Sequence, residues 1–329
     1  MKINILTFDV EDWYNCDFIT PDVDWGKYEV RIYEFVQLIL QELAKKELKA
    51  TFFCLGWIAE KHPDVIRWIH AHGHHIGCHS YKHGLVYQFD RDGFRQDTEK
   101  SKKLIEDLIG ESINTFRAPG FSITEQNIWA FEVLTELGFE YDCSIFPAMH
   151  DYGGFASYGK AEPAILKLPN GTIIKEFPIN SKRVFNKSVV FSGGGFFRFY
   201  PYWLIKYWSR RSPYLMTYFH SRDFDPEQPI IESLPPIRKF KSYVGLATSF
   251  IKFQKLLDDF DILTDLYDKK YKDINRKNFI NTQYVLYQLL QRHKYRCDKE
   301  EFIILKTIDR KFFHDEVCQN LFEYLGWNH

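Results

Sequence analysis

At 329 residues the chain can bury a large core, and an aromatic content of 18% supplies the bulk to fill it. A formal net charge of −1 gives no electrostatic reason to expect nucleic acid or an anionic membrane as a partner, and favours a neutral substrate. Cys16, Cys54, Cys78, Cys143, Cys297 and Cys318 are scattered without a Cys-x-x-Cys pair, so reduced core thiols are expected rather than disulfides. The first strand begins at Lys2 and no long apolar run follows, so neither a leader nor a transmembrane segment is expected and the chain is expected in the cytoplasm.

In chain order, Ile3-Asn4-Ile5-Leu6-Thr7-Phe8 reads as a buried strand that ends in Asp9-Val10-Glu11-Asp12-Trp13. On an extended backbone Asp9 and Glu11 face one side, so one carboxylate can hold a metal while the other takes a proton. The plain alternative is a solvated acidic turn or a helix start. Ile32, Phe35, Val36, Ile39 and Leu43 recur at helical spacing, and Lys49 to Leu55 reads as the next strand. A helix is expected from about Ile58 to His72.

His79 and His83 follow, four residues apart. If the chain turned into a helix there, both imidazoles would project from one face, close enough to share a divalent metal. Twelve histidines make such a pair easy to obtain by chance, so the site needs a third ligand from elsewhere. Further along come a charged helix from about Arg95 to Ile109, a strand entering Arg117, a helix from Glu125 to Leu137 and a strand at Tyr141. This alternation marks parallel β/α units, and the candidate residues fall at strand ends, where barrel enzymes assemble catalytic groups.

The stretch from Pro147 to Ser212 is turn-rich, with a hairpin expected around Asn170-Gly171, and such loops often wall a substrate site. Tyr267 to His329 is mixed in charge and aromatic-rich, with helical spacing at Tyr284, Leu286, Leu289 and Leu290. The expected organisation is a catalytic domain over residues 1–266 and a mainly helical extension of unreadable role over 267–329.

Five segments together resemble the motifs of the polysaccharide deacetylases, the NodB-homology family or carbohydrate esterase family four. They are Thr7-Phe8-Asp9, His79-Ser80-Tyr81-Lys82-His83, Phe116-Arg117-Ala118-Pro119-Gly120-Phe121-Ser122, Tyr141-Asp142-Cys143-Ser144-Ile145-Phe146-Pro147, and Tyr214 to His220. Phe8 to Trp13, Ser192 to Arg198, His220 to Pro229 and Tyr243 to Leu246 are similar to the branch found with bacterial exopolysaccharide and O-antigen synthesis, and carry the resemblance to about residue 266. The family usually has two adjacent aspartates where this chain has Asp9-Val10-Glu11-Asp12. Glu11 keeps the alternation with Asp9 and is preferred as metal carboxylate, while Asp12 is the residue type more usual in the family.

The resemblance implies a distorted (β/α) barrel of seven or eight strands and hydrolysis of an acetamide on a sugar. It implies one divalent metal, zinc first and other transition metals after it, on His79, His83 and Glu11 or Asp12. Asp9 would be the general base, Arg117 the cation that holds it, Gly120 a main-chain donor to the oxyanion, and His220 the general acid, with Asp223 or Asp225 as its carboxylate partner. His74, His75, Cys78 and Asp142 read as scaffold. The substrate would be an N-acetylated sugar on a nucleotide, a lipid or an oligosaccharide, with no nucleic-acid partner. A ring-amide or imide hydrolase of the same fold is the nearest alternative, and a silent carbohydrate-binding or assembly protein is the other.

Overall fold

Strands and helices alternate through the first half of the chain, as the apolar spacing predicts. The computed structural model describes residues 3–17, 24–184, 187–212 and 214–259. Lys2–Phe260 forms one unit; Asp261–His329 belongs to another, outside the described residues, as do the expected extension 267–329, its helical spacing, Cys297 and Cys318.

Strands β1 (Ile3–Ile5) and β2 (Thr7–Val10) lead to α1 (Trp13–Asp17), α2 (Ile32–Lys45), β3 (Thr51–Cys54), α3 (Gly56–Lys61), α4 (Pro63–Ala71) and β4 (His75–Cys78). Then come α5 (Arg91–Ile109), β5 (Thr115–Phe116), α6 (Trp129–Glu136), β6 (Tyr141–Asp142), the hairpin β7 (Ala164–Lys167) and β8 (Ile173–Glu176), and a second pair, β9 (Ser181–Val184) and β10 (Lys187–Val190). Helices α7 (Gly194–Phe199) and α8 (Tyr202–Arg210), strands β11 (Tyr214–Met216) and β12 (Phe219–His220), and helices α9 (Pro236–Tyr243) and α10 (Leu246–Asp259) follow.

An eight-stranded sheet runs in the order β12-β2-β3-β4-β5-β6-β8-β7, parallel except for the antiparallel hairpin at its edge. It curls into a half-barrel, the distorted barrel that the sequence implies. Strand β1 pairs with β11 and β2 with β12 in one continuous register, with Ile3 opposite Tyr214 and Phe8 opposite Phe219. Where both strands break, side-chain hydroxyls supplement the backbone bond from Thr217 N to the Ile5 carbonyl: Thr7 N donates to Thr217 Oγ1 at 2.9 Å, and Thr7 Oγ1 donates to the Thr217 carbonyl.

Sheets covered on both faces read as unbroken apolar runs, and Phe8, Phe52, Phe53 and Phe116 are fully buried. Phe8 stacks on Phe52 at 4.8 Å, and Phe253 of α10 meets Phe8, Phe219 and Phe224 at centroid distances of 5.8, 5.4 and 4.9 Å. Such contacts each add about 0.5–1.5 kcal/mol beyond area burial, so α10 is built into this end of the core. The periodic residues Ile32, Phe35, Val36, Ile39 and Leu43 are the buried face of α2.

Two helices differ from expectation. The one expected from Ile58 to His72 is broken into α3 and α4, because Pro63 cannot donate a backbone N–H and pushes His62 out of the helical region, to φ −132° and ψ 54°. Helix α6 starts at Trp129 rather than Glu125, because Asn127 Oδ1 accepts from Thr124 N at 2.6 Å and holds the preceding residues in a turn. The hairpin at Asn170-Gly171 forms, with Gly171 at φ 85°. Cys54, Cys78 and Cys143 are buried and free, and no described helix is long and apolar enough to cross a membrane.

Candidate metal and catalytic site

The parallel sheet places the C-terminal ends of β2, β4, β5 and β12 side by side, and with them Asp9, His79, Arg117 and His220. Register puts His220 directly opposite Asp9, with His220 Nε2 3.8 Å from Asp9 Oδ2.

His79 and His83 do meet, but not on a helix. Beyond β4 the chain bends through Ser80 at φ 63° and reaches His83 at φ 52°. The bend is held because the carbonyls of Ser80 and Tyr81 accept the first N–H groups of α3, from Gly56 at 2.9 Å and Trp57 at 2.8 Å. A helix here would have left those donors orphaned. Ser101 Oγ also donates to Ser80 O at 2.8 Å, and Tyr81 N donates to Asp97 Oδ2 at 2.9 Å. Left-handed backbone at non-glycine residues costs energy and tends to gather at functional sites.

Glu11 supplies the third donor. Its Oε1 lies 3.0 Å from His79 Nε2 and 3.2 Å from His83 Nε2, all three residues being buried. His79 Nδ1 lies 2.7 Å from the Arg117 carbonyl, which fixes its proton there and leaves Nε2 as the free donor atom. Burial opposes the charge of Glu11, yet His83 and His79 hold its carboxyl well below the usual range. Two imidazoles and an anionic carboxylate, with donor atoms within 4.8 Å of one another, fit a divalent transition metal.

Asp12, the other candidate ligand, is committed elsewhere. Its Oδ2 accepts from Arg31 N at 2.8 Å and Ile32 N at 3.0 Å, and Oδ1 accepts from Trp13 N at 2.8 Å. It caps α2, which has no capping side chain of its own. Glu11 thus lies in the cluster and Asp12 outside it.

Arg117 is fully buried and lies across the barrel floor. Its Nη1 donates to Asp9 Oδ1 at 2.7 Å and to Thr7 Oγ1 at 2.8 Å, its Nε donates to Cys143 O at 3.2 Å, and its plane lies 4.2 Å from the Phe53 ring. Oδ1 of Asp9 is thus held, and Oδ2 faces His220.

The structure also chooses the partner of His220. Asp223 Oδ2 accepts from His220 N at 2.9 Å and lies 3.2 Å from His220 Nδ1, while Asp225 is drawn away by Arg31 at 2.5 and 3.0 Å. Burial opposes charge on His220, but Asp223, with smaller contributions from Glu11 and Asp9, raises its pKa to about 9. Asp223 is in turn held by Arg198 Nε at 3.0 Å. Sequence reasoning assigned Arg198 no role, and only its place in the Ser192–Arg198 motif pointed to it.

Gly120, at φ 58°, sits in a short turn beside Tyr152 and Leu85. With Asp9, Glu11, His79, His83 and His220 it lines a cavity of about 540 Å³. Asp142 stands behind this wall as scaffold: it accepts from Ser144 N and Oγ, each at 2.7 Å, and Ser144 Oγ accepts from Ala118 N at 2.8 Å. That tether fixes the Arg117–Gly120 loop. His74, His75 and Cys78 lie outside the cavity lining.

Comparison with known proteins divides the chain into three. Residues 5–141 match the family described as "Polysaccharide deacetylase", residues 143–264 match a "Domain of unknown function (DUF3473)", and residues 252–329 match "Poxvirus Late Transcription Factor VLTF3 like". A peptidoglycan-N-acetylglucosamine deacetylase of Bacillus cereus is 36% identical over 100 residues, 30% of this chain and 36% of that protein. "Putative transcription factor 282R" of Invertebrate iridescent virus 6 is 58% identical over 76 residues, 23% of this chain and 20% of that protein. The aligned stretches thus span well under half the length of these relatives. A structure described as a "putative polysaccharide deacetylase" from Mycobacterium smegmatis superposes with TM-score 0.52 at 16% identity, covering 84% of this chain and 92% of that one, which shows a shared fold.

Proposed function

From the premise that this chain belongs, through residues 5–141, to the polysaccharide deacetylase family, we propose that it hydrolyses the N-acetyl group of an amino sugar. The observation that carries this reading is the juxtaposition of Asp9 with both His220 and the Glu11–His79–His83 cluster at one cavity. A base, an acid and a three-donor cation site are what amide hydrolysis needs in one place.

Glu11, His79 and His83 would hold one divalent cation, with zinc the best fit to the donors. When bound, that cation supplies Lewis acidity toward the acyl oxygen and lowers the pKa of water from about 15.7 toward about 7. Asp9 takes the proton of the attacking water at Oδ2, because Oδ1 is occupied by Arg117. Arg117 keeps Asp9 oriented. His220, held in its charged form by Asp223, delivers a proton to the departing nitrogen. Main-chain N–H at Gly120 faces the oxyanion, where donors aimed at developing charge contribute most.

The substrate class is an N-acetylated sugar on a nucleotide, a lipid or an oligosaccharide, within cell-surface glycan synthesis; relatives are named for peptidoglycan and chitin. Metal analysis of purified protein beside acetate release from such sugars tests the reading. Protein without bound metal, together with undiminished turnover in Asp9→Asn, would defeat it.

The C-terminal similarity supports a second activity beside the first. Residues 252–329 read as a module of the kind named as a transcription factor in the viral relatives, joined to a deacetylase unit over residues 1–266. The two family matches overlap over residues 252–264, a stretch that begins within α10. Gel-shift titration of the full chain with duplex and single-stranded DNA checks this, and no retardation at low salt would end it.

A further inference from the structure

Helix α9 is turned inside out. A surface helix ordinarily directs its apolar stripe to the core, but here Ile237 is 74% exposed and Phe240 57% exposed, three residues apart on one face, while Ser242 is the buried residue. Lys241 shares that outer face and Arg238 and Lys239 flank it, with no acidic residue in the helix. The ring of Phe240 lies 6.1 Å from that of Phe199, which ends α7 and is 55% exposed, and Met149 is 86% exposed. Ile237, Phe240, Phe199 and Met149 all border the catalytic cavity. Single exposed apolar residues are ordinary; four around one cavity mouth are not.

We propose that this crest is a membrane-docking surface that seats in the interface of an anionic bilayer and brings the cavity to an N-acetylated sugar carried on a lipid. The lipid-borne substrate rests on the deacetylase reading above; the docking itself does not. Aliphatic and aromatic side chains set among Lys and Arg make up the composition of interfacial segments, whose apolar groups enter the acyl boundary while the cations stay at the headgroups. Sugars are met by flat aromatic faces, which does not account for Ile237 and Met149. Lys241 lies 2.6 Å from Asp151 and Arg238 lies 3.8 Å from it, while Lys239 pairs with Glu232, so the cations of α9 are held at the rim of the crest. This gathering of basic residues on one helix is invisible in the net charge of the whole chain.

The test is co-sedimentation of the full chain with vesicles of phosphatidylcholine alone and of phosphatidylcholine with an equal part of phosphatidylglycerol. Binding to the mixed vesicles, weakened by salt, is expected. Ile237→Glu with Phe240→Glu should lower the bound fraction about tenfold or more, since two interfacial anchors become charges. Circular dichroism melting checks that the double variant folds, and Met149→Glu, at a site with almost no contacts to lose, gives the same reading if it does not.

Absence of wild-type binding to both vesicle types overturns the proposal, as does binding untouched by the variants. A wild-type dimer that the double variant disperses, without vesicle binding, overturns it in favour of self-association. Turnover of a soluble N-acetyl sugar without vesicle binding defeats the docking and spares the deacetylase reading; vesicle binding without turnover of any N-acetyl sugar does the reverse.

Discussion

The main-chain carbonyl of Arg117 accepts a hydrogen bond from Nδ1 of His79 at 2.7 Å. The guanidinium of the same residue holds Asp9 at 2.7 Å, so Arg117 meets the Glu11–His79–His83 cluster with its backbone and Asp9, the proposed base, with its side chain.

That division makes the two roles separable. Arg117→Ala removes the cation beside a buried carboxylate and should cost about 3–5 kcal/mol of stability, as breaking a buried pair does. Turnover should fall at least a hundredfold, because Asp9 loses its orientation. Metal stoichiometry should persist, since the carbonyl remains. A folded Arg117→Ala protein that has lost its metal would contradict the arrangement.

Glu11 and Asp12 are neighbours in sequence with opposite fates. Glu11→Gln, His79→Ala and His83→Ala are expected to abolish bound metal, measured by elemental analysis. Asp12→Ala should retain it while lowering stability by about 1–2 kcal/mol, the cost of a lost helix cap. Metal loss in Asp12→Ala with an unchanged melting temperature would return Asp12 to the ligand set.

His220 sets a pH limit. With its pKa raised from 6.5 to about 9, chiefly by Asp223 acting against burial, the proton-donating form persists through neutral pH, and turnover should decline as pH rises through about 9. Because the folded pKa lies above the unfolded one, the pairing stabilises the protein fully below about 6.5 and is lost as pH climbs to about 9. Asp223→Asn removes the carboxylate charge, so the alkaline limb of the kcat profile should move to lower pH. An unmoved limb would mean that His220 is not the group titrating there.

Gly120 has no room for a side chain. A Cβ there would lie 2.9 Å from Tyr152 Cβ and 3.0 Å from Leu85 Cδ2, at φ 58°. Gly120→Ala should destabilise the protein by about 1–2 kcal/mol and lower kcat more than it raises KM, because the displaced loop carries the proposed oxyanion donor. A change confined to KM would move Gly120 from the reaction centre to the substrate wall.

Much of this was legible in order of residues. Spacing of apolar side chains marked α2, apolar runs marked the strands and a charged stretch marked α5, and Pro63 was in view as the break that the helix reading passed over. Asp9, His79, Arg117 and His220 were recognisable as chemistry at strand ends. The tight bend at Ser80 and His83 was not, because its cause lies in unsatisfied N–H groups at the start of α3, more than twenty residues earlier.

Residue type and local period therefore determined the β/α architecture and the stock of candidate acids, bases and ligands. Tertiary structure decided where each of two near-equivalent carboxylates lies: Glu11 rather than Asp12 beside His79 and His83, and Asp223 rather than Asp225 beside His220. The physical reason is that a buried carboxylate goes to whichever donors lack a partner. The N–H groups of α2 took Asp12, Arg31 took Asp225, and Glu11 and Asp223 were left to face the two histidines of the cluster and His220.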